Sequence, residues 1–216
     1  IMAADYGVPQ LRERLFVVAT KDHNGFYFPE RTHAPIEEAN GLFPYKPYVG
    51  IGEALNGLSE PDPKIKGKTV YDRKDSHVDV TPPRDRERIA QVPEGSYLAA
   101  QTHLGKELRC GLSPKDTTKY LRLHRKYPSN TLRCGEIFYH PTESRYLTPR
   151  EYMRIHGYPD SYILKGPIRA RTGSVPNLDQ HRQVANSVPP PLAKAIALQI
   201  KGYLDEQNIR AVRLSS

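Results

Sequence analysis

Apolar and polar positions follow a regular pattern only near the two ends of the chain. Residues 14–20 form a compact apolar run, bounded by Pro9 before it and by the polar residues 22–25 after it. Such a run, rich in β-branched and aromatic side chains, predicts a buried β-strand. From residue 26 to residue 145 the pattern changes to scattered charges, prolines and short apolar islands. This composition predicts a loop-rich region with one or two short helices, one of them at residues 84–91.

One stretch within this irregular region alternates apolar and polar side chains, namely residues 120–124 with the sequence Tyr-Leu-Arg-Leu-His. Alternation with a period of two is typical of a half-exposed strand. The outward face of this strand is predicted to be basic, because Arg122 and His124 share it.

The last third of the chain carries clear helix signals. Thr148, Pro149 and Glu151 supply a hydroxyl N-cap, a proline at the first helical position and the glutamate of a capping box. Gly157 and the following Pro159 are a stop signal, so this helix is predicted to be short.

A second helix is predicted after Pro191, with an apolar stripe at helical spacing. The stripe consists of Leu192, Ile196, Ile200 and Tyr203, widened by Ala195 and Leu204. An amphipathic helix of this kind is expected to dock on a larger body.

Charge and composition narrow the range of partners. A chain of 216 residues with 38% hydrophobic residues is long enough for one ordinary domain or two small ones. Its 32 lysines and arginines exceed its 24 acidic residues, which gives a net charge of +8 and favours a polyanionic partner such as nucleic acid.

Location and chain organisation follow from other features. Two cysteines cannot build a disulfide framework, and no apolar run approaches the roughly 20 residues that span a bilayer. We therefore expect an intracellular, reducing location, in the cytoplasm or nucleoid, or in the nucleus of a eukaryote, without a membrane partner. The chain opens on Ile1, and further sequence is expected upstream.

Two polar constellations are candidates for chemistry. Gln10, Arg12 and Arg14 alternate in an extended segment, so they share one face and offer donors suited to a base carbonyl and to phosphates. Asn186 and Ser187 precede the last helix, where they are candidate caps and where free backbone N–H groups could hold a ligand. Taken singly, each constellation is also compatible with a solvated strand edge or with plain capping.

In this order and spacing, residues 10–14, 147–160 and 182–191 resemble the eighth, ninth and tenth motifs of the cytosine-5 DNA methyltransferase family. The resemblance implies an α/β fold containing the edge of a Rossmann-like, S-adenosyl-L-methionine-dependent methyltransferase domain. That edge would comprise residues 1–25 and 146–216. Residues 26–145 would form a smaller, irregular, β-containing target-recognition domain.

The resemblance also implies a reaction and a set of roles. Such enzymes flip a cytosine out of double-stranded DNA, add a cysteine thiolate to ring C6 and methylate C5 from S-adenosyl-L-methionine. Arg14 would contact the flipped cytosine at O2, with Gln10 and Arg12 organising the pocket. The cofactor-binding residues would be Asn186, Ser187 and Val188. The ninth motif would mainly tie the recognition domain to the catalytic core.

Residues 127–135 resemble the stretch in which this family places residues that contact DNA. The candidates there and just before it are Arg122, Arg125, Thr131 and Arg133. They are predicted on the strength of the resemblance together with their basic or hydroxyl side chains.

The departures from the family pattern are as informative as the matches. Ala185 stands where the family usually has glycine, which suggests an altered cofactor turn. The chain contains no glycine-rich cofactor motif, no Pro-Cys nucleophile and no Glu-Asn-Val motif. Since Cys110 and Cys134 lie in the variable region, the nucleophile is expected in an N-terminal catalytic half, and this chain alone is expected to be inactive.

Alternatives remain open at this point. The chain could be a stand-alone or split-enzyme nucleic-acid-binding module without catalysis, or part of an RNA cytosine-5 methyltransferase. No metal site is predicted, because the spacing of Cys110 and Cys134 and of the nearby histidines does not match a zinc motif. The acidic residues Asp72, Asp75 and Asp79 are expected to be a solvated loop rather than a hydrolase cluster.

Overall fold

The structure is a computed structural model that describes residues 1–21, 25–39, 41, 44–68, 71, 74–117, 119–169 and 178–215, with side chains up to residue 209. The described helices are α1 Ile36–Ala39, α2 Ile51–Leu55, α3 Pro83–Ala90, α4 Pro149–Ile155, α5 Gln180–Asn186 and α6 Pro190–Ser215. The described strands are β1 Gln10–Leu11, β2 His33–Ala34, β3 Lys46–Pro47, β4 Asp62–Pro63, β5 Val78–Asp79 and β6 Ser129–Asn130.

The strands are short and pair in twos, all in parallel: β1 with β6, β2 with β3, and β4 with β5. The β1–β6 pair joins the start of the chain to its middle, with Gln10 opposite Ser129. Short parallel ladders among helices and loops confirm the mixed α/β class. The loop-rich middle is confirmed too, because long stretches between the described elements are turns and irregular backbone.

Helix α4 is the centre of the largest hydrophobic core. Its capping box is present as predicted: the Thr148 hydroxyl accepts a hydrogen bond from the Glu151 backbone, and Glu151 accepts one from the Thr148 backbone. Tyr152, Met153 and Ile155 are fully buried, and the helix packs against α2 and α5. The helix ends before Gly157, whose φ of +83° is the left-handed stop that the sequence predicts.

A buried ion pair lies at the start of this helix. Arg145 and Glu151 are almost wholly buried and form a bidentate ion pair, with N–O distances of 2.8 and 2.7 Å. A buried pair of this geometry helps to compensate the desolvation of both groups. Removing Arg145 would leave Glu151 as a buried carboxylate without this partner, whereas Arg145 also pairs with Glu143 at 2.6 Å.

The last helix docks through its predicted stripe. Leu192 and Ile196 are buried against Ala3 and Val8, with Ile200 packed beside them. Helix α6 therefore covers the first residues of the chain. Leu204, which the sequence assigns to the same stripe, is 53% exposed, so that part of the prediction is wrong.

The strand predicted at residues 14–20 is not present. Leu15 and Val17 are 89% and 85% exposed, and no described strand includes these residues. Over residues 14–19, side chains at even positions are half-buried while those at odd positions are exposed, so burial alternates there. A strand also needs a neighbour for its backbone groups. Arg14 exchanges backbone hydrogen bonds with Ile1, but no described strand pairing continues from there along residues 15–20.

The strand predicted at residues 120–124 is reduced to isolated bridges at Leu121 and Arg122. Tyr120 has a φ of +52°, which interrupts the extended backbone. Arg122 points inward and is 9% exposed, so the prediction of a basic outer face is wrong for this residue. The helix predicted at residues 84–91 is confirmed as α3.

The largest core draws on both parts of the predicted domain division. Ile51, Val78 and Leu132 from the middle region are clustered with Tyr152 and Val184 from the last third. The division at residues 25 and 146 stays a prediction, and the two proposed parts share a core at their junction.

Candidate functional site

The segment around Gln10 is joined to the end of α4 by a buried hydrogen-bond network. The Gln10 side-chain amide lies 3.0 Å from His156 Nδ1, while its carbonyl oxygen accepts from the Leu132 backbone at 3.1 Å. His156 Nε2 in turn lies 3.1 Å from the Ser187 carbonyl. All the partners are satisfied if Gln10 donates to Nδ1 and the histidine carries its proton on Nε2.

The guanidinium of Arg12 joins two of the segments in this network, at Leu132 and at residues 185–187. Its Nη1 donates to the Leu132 carbonyl at 3.3 Å, and its Nη2 donates to the carbonyls of Ala185 and Ser187 at 2.5 and 3.3 Å. Arg12 is 1% exposed. A planar fork of donors suits this task, because one side chain can hold carbonyl groups from separate loops.

His156 is held in its neutral form. Burial is the main cause that lowers its pKa to about 4, with the hydrogen bond to Ser187 acting in the opposite direction. The positive charge of Arg14 lowers the pKa further. Gln10 and Arg12 both turn inward, as the spacing of two predicts, whereas Arg14 is half-buried.

Arg14 differs from its two neighbours in this motif. It is half-buried, and its Nη1 donates a hydrogen bond of 2.7 Å to the carbonyl of Glu13. Gln10 and the two Nη atoms of Arg12 donate within the protein, and Nε of Arg12 is buried. Arg14 is therefore the member of the three that retains donors for a ligand.

Asn186, Ser187 and Val188 lie in the turn between α5 and α6. Asn186 is exposed and its Oδ1 lies 2.7 Å from the Cys134 thiol, while Val188 is 41% exposed. The predicted capping of the last helix is wrong: Asn186 is the final residue of α5 and Ser187 is its C-cap. Ser187 Oγ donates to the Val184 carbonyl at 2.8 Å.

Ala185 needs no glycine-like backbone in this chain. It is part of α5 and is absent from the described non-glycine residues with positive φ. Its carbonyl faces Arg12, so the expected distortion of the cofactor turn at this residue is wrong.

The four predicted DNA-contacting residues fall in different environments. Arg122 is buried and donates to the carbonyls of Ile89, Val92, His140 and Pro141, which leaves it unavailable to a phosphate. Arg125 makes a bidentate pair with Glu94 and lowers the pKa of that carboxyl to about 2. The Thr131 hydroxyl donates to the Leu11 carbonyl at 2.8 Å. Arg133 is exposed.

Comparison with known proteins identifies the family. The family described as C-5 cytosine-specific DNA methylase matches residues 1–202. The chain belongs to this family of DNA cytosine-5 methyltransferases.

Individual relatives of this methyltransferase chain match it over different lengths. Type II methyltransferase M.NgoFVII of Neisseria gonorrhoeae is 30% identical over 203 residues, which are 89% of this chain and 47% of the relative. Type II methyltransferase M.SacI of Streptomyces achromogenes is 29% identical, over 96% of this chain and 53% of the relative. The chain spans about half the length of these curated relatives.

A shorter and stronger match concerns DNA (cytosine-5)-methyltransferase 1 of Rattus norvegicus, which is 52% identical over 62 residues, 29% of this chain and 3% of the relative. A crystal structure of a DNA modification methyltransferase encoded within an E. coli prophage has a TM-score of 0.54 at 17% identity, and the match covers 95% of this chain and 59% of that one. The chain therefore has a methyltransferase-like fold.

His156 belongs to the buried hydrogen-bond network around Gln10, and the sequence analysis did not predict a role for it. It lies inside the ninth motif, but nothing in its immediate sequence shows that it faces Gln10, 146 positions away. Helix α5 was also missed, although Asp179 before it is a good N-cap and accepts from the Arg182 backbone.

Other candidate chemistry finds little support in the described part of the methyltransferase. Among those residues no group of three or more histidine, cysteine or acidic side chains is arranged to hold a metal, and both cysteines are free. Asp79 pairs with Arg86 and Asp75 accepts from the His77 backbone, whereas Asp72 lies outside the described residues. No described helix has the length and apolar character required to cross a bilayer.

Proposed function

We propose that this chain is the target-recognition domain together with the C-terminal part of the catalytic domain of a DNA cytosine-5 methyltransferase. One observation carries the proposal. Gln10 and Arg12 link the middle region at Leu132 to the loop after α4 at His156 and to the turn after α5 at Ser187. The three motifs that resemble this family are thereby held together around one buried network.

Arg14 is the residue proposed to meet the flipped cytosine at O2. It is half-buried at the rim of this network, and its charge acts on His156. Gln10 and Arg12 would act by positioning, because their donors are used within the protein. Rigid support of this kind keeps a binding arginine within the narrow geometry that catalysis requires.

Asn186, Ser187 and Val188 are proposed to form one edge of an S-adenosyl-L-methionine site. The residues fit such a role, because the turn presents an exposed amide and an exposed apolar side chain beside a firmly held backbone. The bound cofactor would supply the methyl group that is transferred to cytosine C5.

The nucleophile is proposed to come from an N-terminal catalytic half outside this sequence. Neither cysteine follows a proline; Cys110 is exposed in the variable region, and the thiol of Cys134 contacts Asn186. Leu15 and Val17 expose apolar side chains, as expected of a segment that another polypeptide covers. By itself this chain would therefore transfer no methyl group.

The chain spans about half of its relatives, so a module that binds DNA without catalysis is the second candidate. The family's name favours DNA over RNA as the substrate. Since several relatives are named Type II methyltransferases, we place the parent enzyme in a restriction-modification system.

Two assays on this chain test the proposal. A titration with duplex DNA at several salt concentrations should show saturable binding whose affinity falls steeply with salt. Incubation with duplex DNA and radiolabelled S-adenosyl-L-methionine should leave the DNA unlabelled. Absence of duplex binding even at low salt would contradict the recognition role, and labelled DNA would contradict the external nucleophile.

The matched variants are Arg14→Ala and Glu13→Ala, which change neighbouring positions. Arg14→Ala should weaken binding of a duplex that carries an unpaired cytosine opposite an abasic site more than it weakens binding of a fully paired duplex. Such a preference exists because an unpaired base is flipped at lower cost. Equal weakening of both duplexes would leave Arg14 as an ordinary phosphate contact.

A further inference from the structure

A polar cavity of about 360 Å³ lies between the backbone after Leu132 and the stretch around Tyr120. Its volume falls within the range of roughly 300–1,000 Å³ that is usual for ligand sites. The charged side chains that line it are Lys119, Arg133, Glu136 and Arg169. The cavity is separate from the Gln10–His156 network, and the roles proposed above use only Arg133 from its lining.

Glu136 is fixed in this cavity by the backbone. Its carboxylate accepts a hydrogen bond from the Tyr120 N–H. Tyr120 adopts a φ of +52°, a conformation that costs energy for a residue with a bulky side chain. The strained backbone aims its N–H at Glu136 and holds the carboxylate in one place. Burial raises the pKa of Glu136, with Arg133 and Lys119 acting in the opposite direction.

Two arginines in the cavity retain their donors. Within the part of the chain that the structure describes, neither Arg133 nor Arg169 forms a hydrogen bond or an ion pair. Lys119, by contrast, pairs with Asp116 at 3.2 Å. The cavity therefore offers guanidinium donors next to one carboxylate acceptor.

This combination is more selective than a phosphate site. Cationic side chains raise the affinity of a pocket for phosphate, whereas a half-buried carboxylate lowers that affinity because like charges repel. In the major groove, arginine donates to O6 and N7 of guanine, and glutamate accepts from the N4 amino group of cytosine. A G·C pair presents both edges side by side, so one arginine and one glutamate can read it together.

We propose that this cavity reads a G·C pair of the recognition sequence, with Arg133 donating to guanine and Glu136 accepting from the cytosine amino group. The proposal rests on the function proposed above and adds two specificity-determining residues to it. Arg169 and Lys119 supply the surrounding positive charge that keeps the phosphate backbone close.

The test is selection of duplexes from a library with randomised positions, by this chain and by three variants. Glu136→Gln keeps an acceptor for the Tyr120 N–H but loses the charge, whereas Arg133→Ala removes the donor. Arg125→Ala is the matched control: it removes one exposed arginine charge that is paired with Glu94 outside this cavity. Thermal melting of each variant checks that the fold is kept.

We expect the unaltered chain to enrich G·C at one position or more. Arg133→Ala and Glu136→Gln should each lower the preference at the same position by roughly 5- to 150-fold, the discrimination of one good base contact, and leave the others unchanged. Arg125→Ala should weaken the binding of all duplex sequences by the same factor.

Two outcomes would overturn the inference, in distinguishable ways. If Arg133→Ala and Arg125→Ala both weaken every sequence equally and Glu136→Gln changes no preference, the cavity is a phosphate contact and the recognition role stands. If no version of the chain binds duplex DNA, this inference and the proposed function fail together.

Discussion

Two arginines, Arg12 and Arg122, illustrate how burial decides the role of a single residue. Sequence resemblance assigns Arg12 to the cytosine site and Arg122 to DNA contact, yet both side chains are buried and donate to backbone carbonyls. Burial lowers the pKa of Arg122, and its four carbonyl partners offset the cost of keeping it charged. Both residues therefore act by holding loops in place, and Arg14 and Arg133 keep the donors that a ligand needs.

The pH dependence of stability should report on His156. Its pKa is lowered to about 4 by burial, so between the ordinary value of a histidine and about pH 4 the unfolded chain binds more protons than the folded chain. Stability from this residue is present at neutral pH and is lost as pH falls through that window. His156→Gln should reduce the slope of unfolding free energy against pH by up to about 1.4 kcal/mol per pH unit. Chemical denaturation at a series of pH values measures it.

The control for this measurement is His103→Gln, which changes an exposed histidine. Other buried groups contribute to the wild-type curve, His181 among them, so the difference between variant and wild type is the informative quantity. Identical slopes for the wild type and for His156→Gln would contradict the assignment of a neutral, buried His156.

At the scale of elements, short helices are placed by contacts at their ends. Helix α4 starts at its capping box and stops at Gly157, and α6 begins directly against that stop. A Cβ on Gly157 would lie 2.6 Å from Pro191 Cδ, so the two helix ends touch at a point where only hydrogen fits. The Gln10–Arg12 network lies on the same junction, which ties the geometry of the site to this packing.

Gly157→Ala should destabilise the protein through two effects. The φ of +83° costs about 1–2 kcal/mol for alanine, and the overlap with Pro191 adds to it. Gly57→Ala is the matched control, because Gly57 has a φ of +75° and nothing within 4 Å of the added Cβ. Urea denaturation should show a larger decrease in unfolding free energy for Gly157→Ala than for Gly57→Ala. Equal decreases would mean that the contact between Gly157 and Pro191 accommodates a methyl group without loss of stability.

At the scale of the whole molecule, the sequence predicts features set by neighbours along the chain and misses those set by distant partners. The capping box at Thr148 and the stripe at Leu192 and Ile196 depend on local spacing, and both are confirmed. The inward turn of Arg122 depends on carbonyls about 18 to 33 positions away, and the pairing of Gln10 with His156 spans 146. Family motifs identify the fold, but only the three-dimensional contacts show which side chains keep hydrogen-bond donors available for a ligand.

Dependence on a distant partner also accounts for the apolar segment at Leu15 and Val17, where the sequence predicts burial and the structure shows exposure.

If a second polypeptide covers this segment, the side chains of Leu15 and Val17 contribute little to the stability of the present chain. Leu15→Ser with Val17→Ser should change the unfolding free energy by no more than about 0.5 kcal/mol per site, the usual range for surface positions. It should also reduce self-association in sedimentation experiments, since exposed apolar side chains promote contact between copies. Leu192→Ser, at a fully buried stripe position, is the contrasting variant and should cost several-fold more stability. A large loss in the double variant would show that these side chains pack within this chain and would remove the argument for a covering partner.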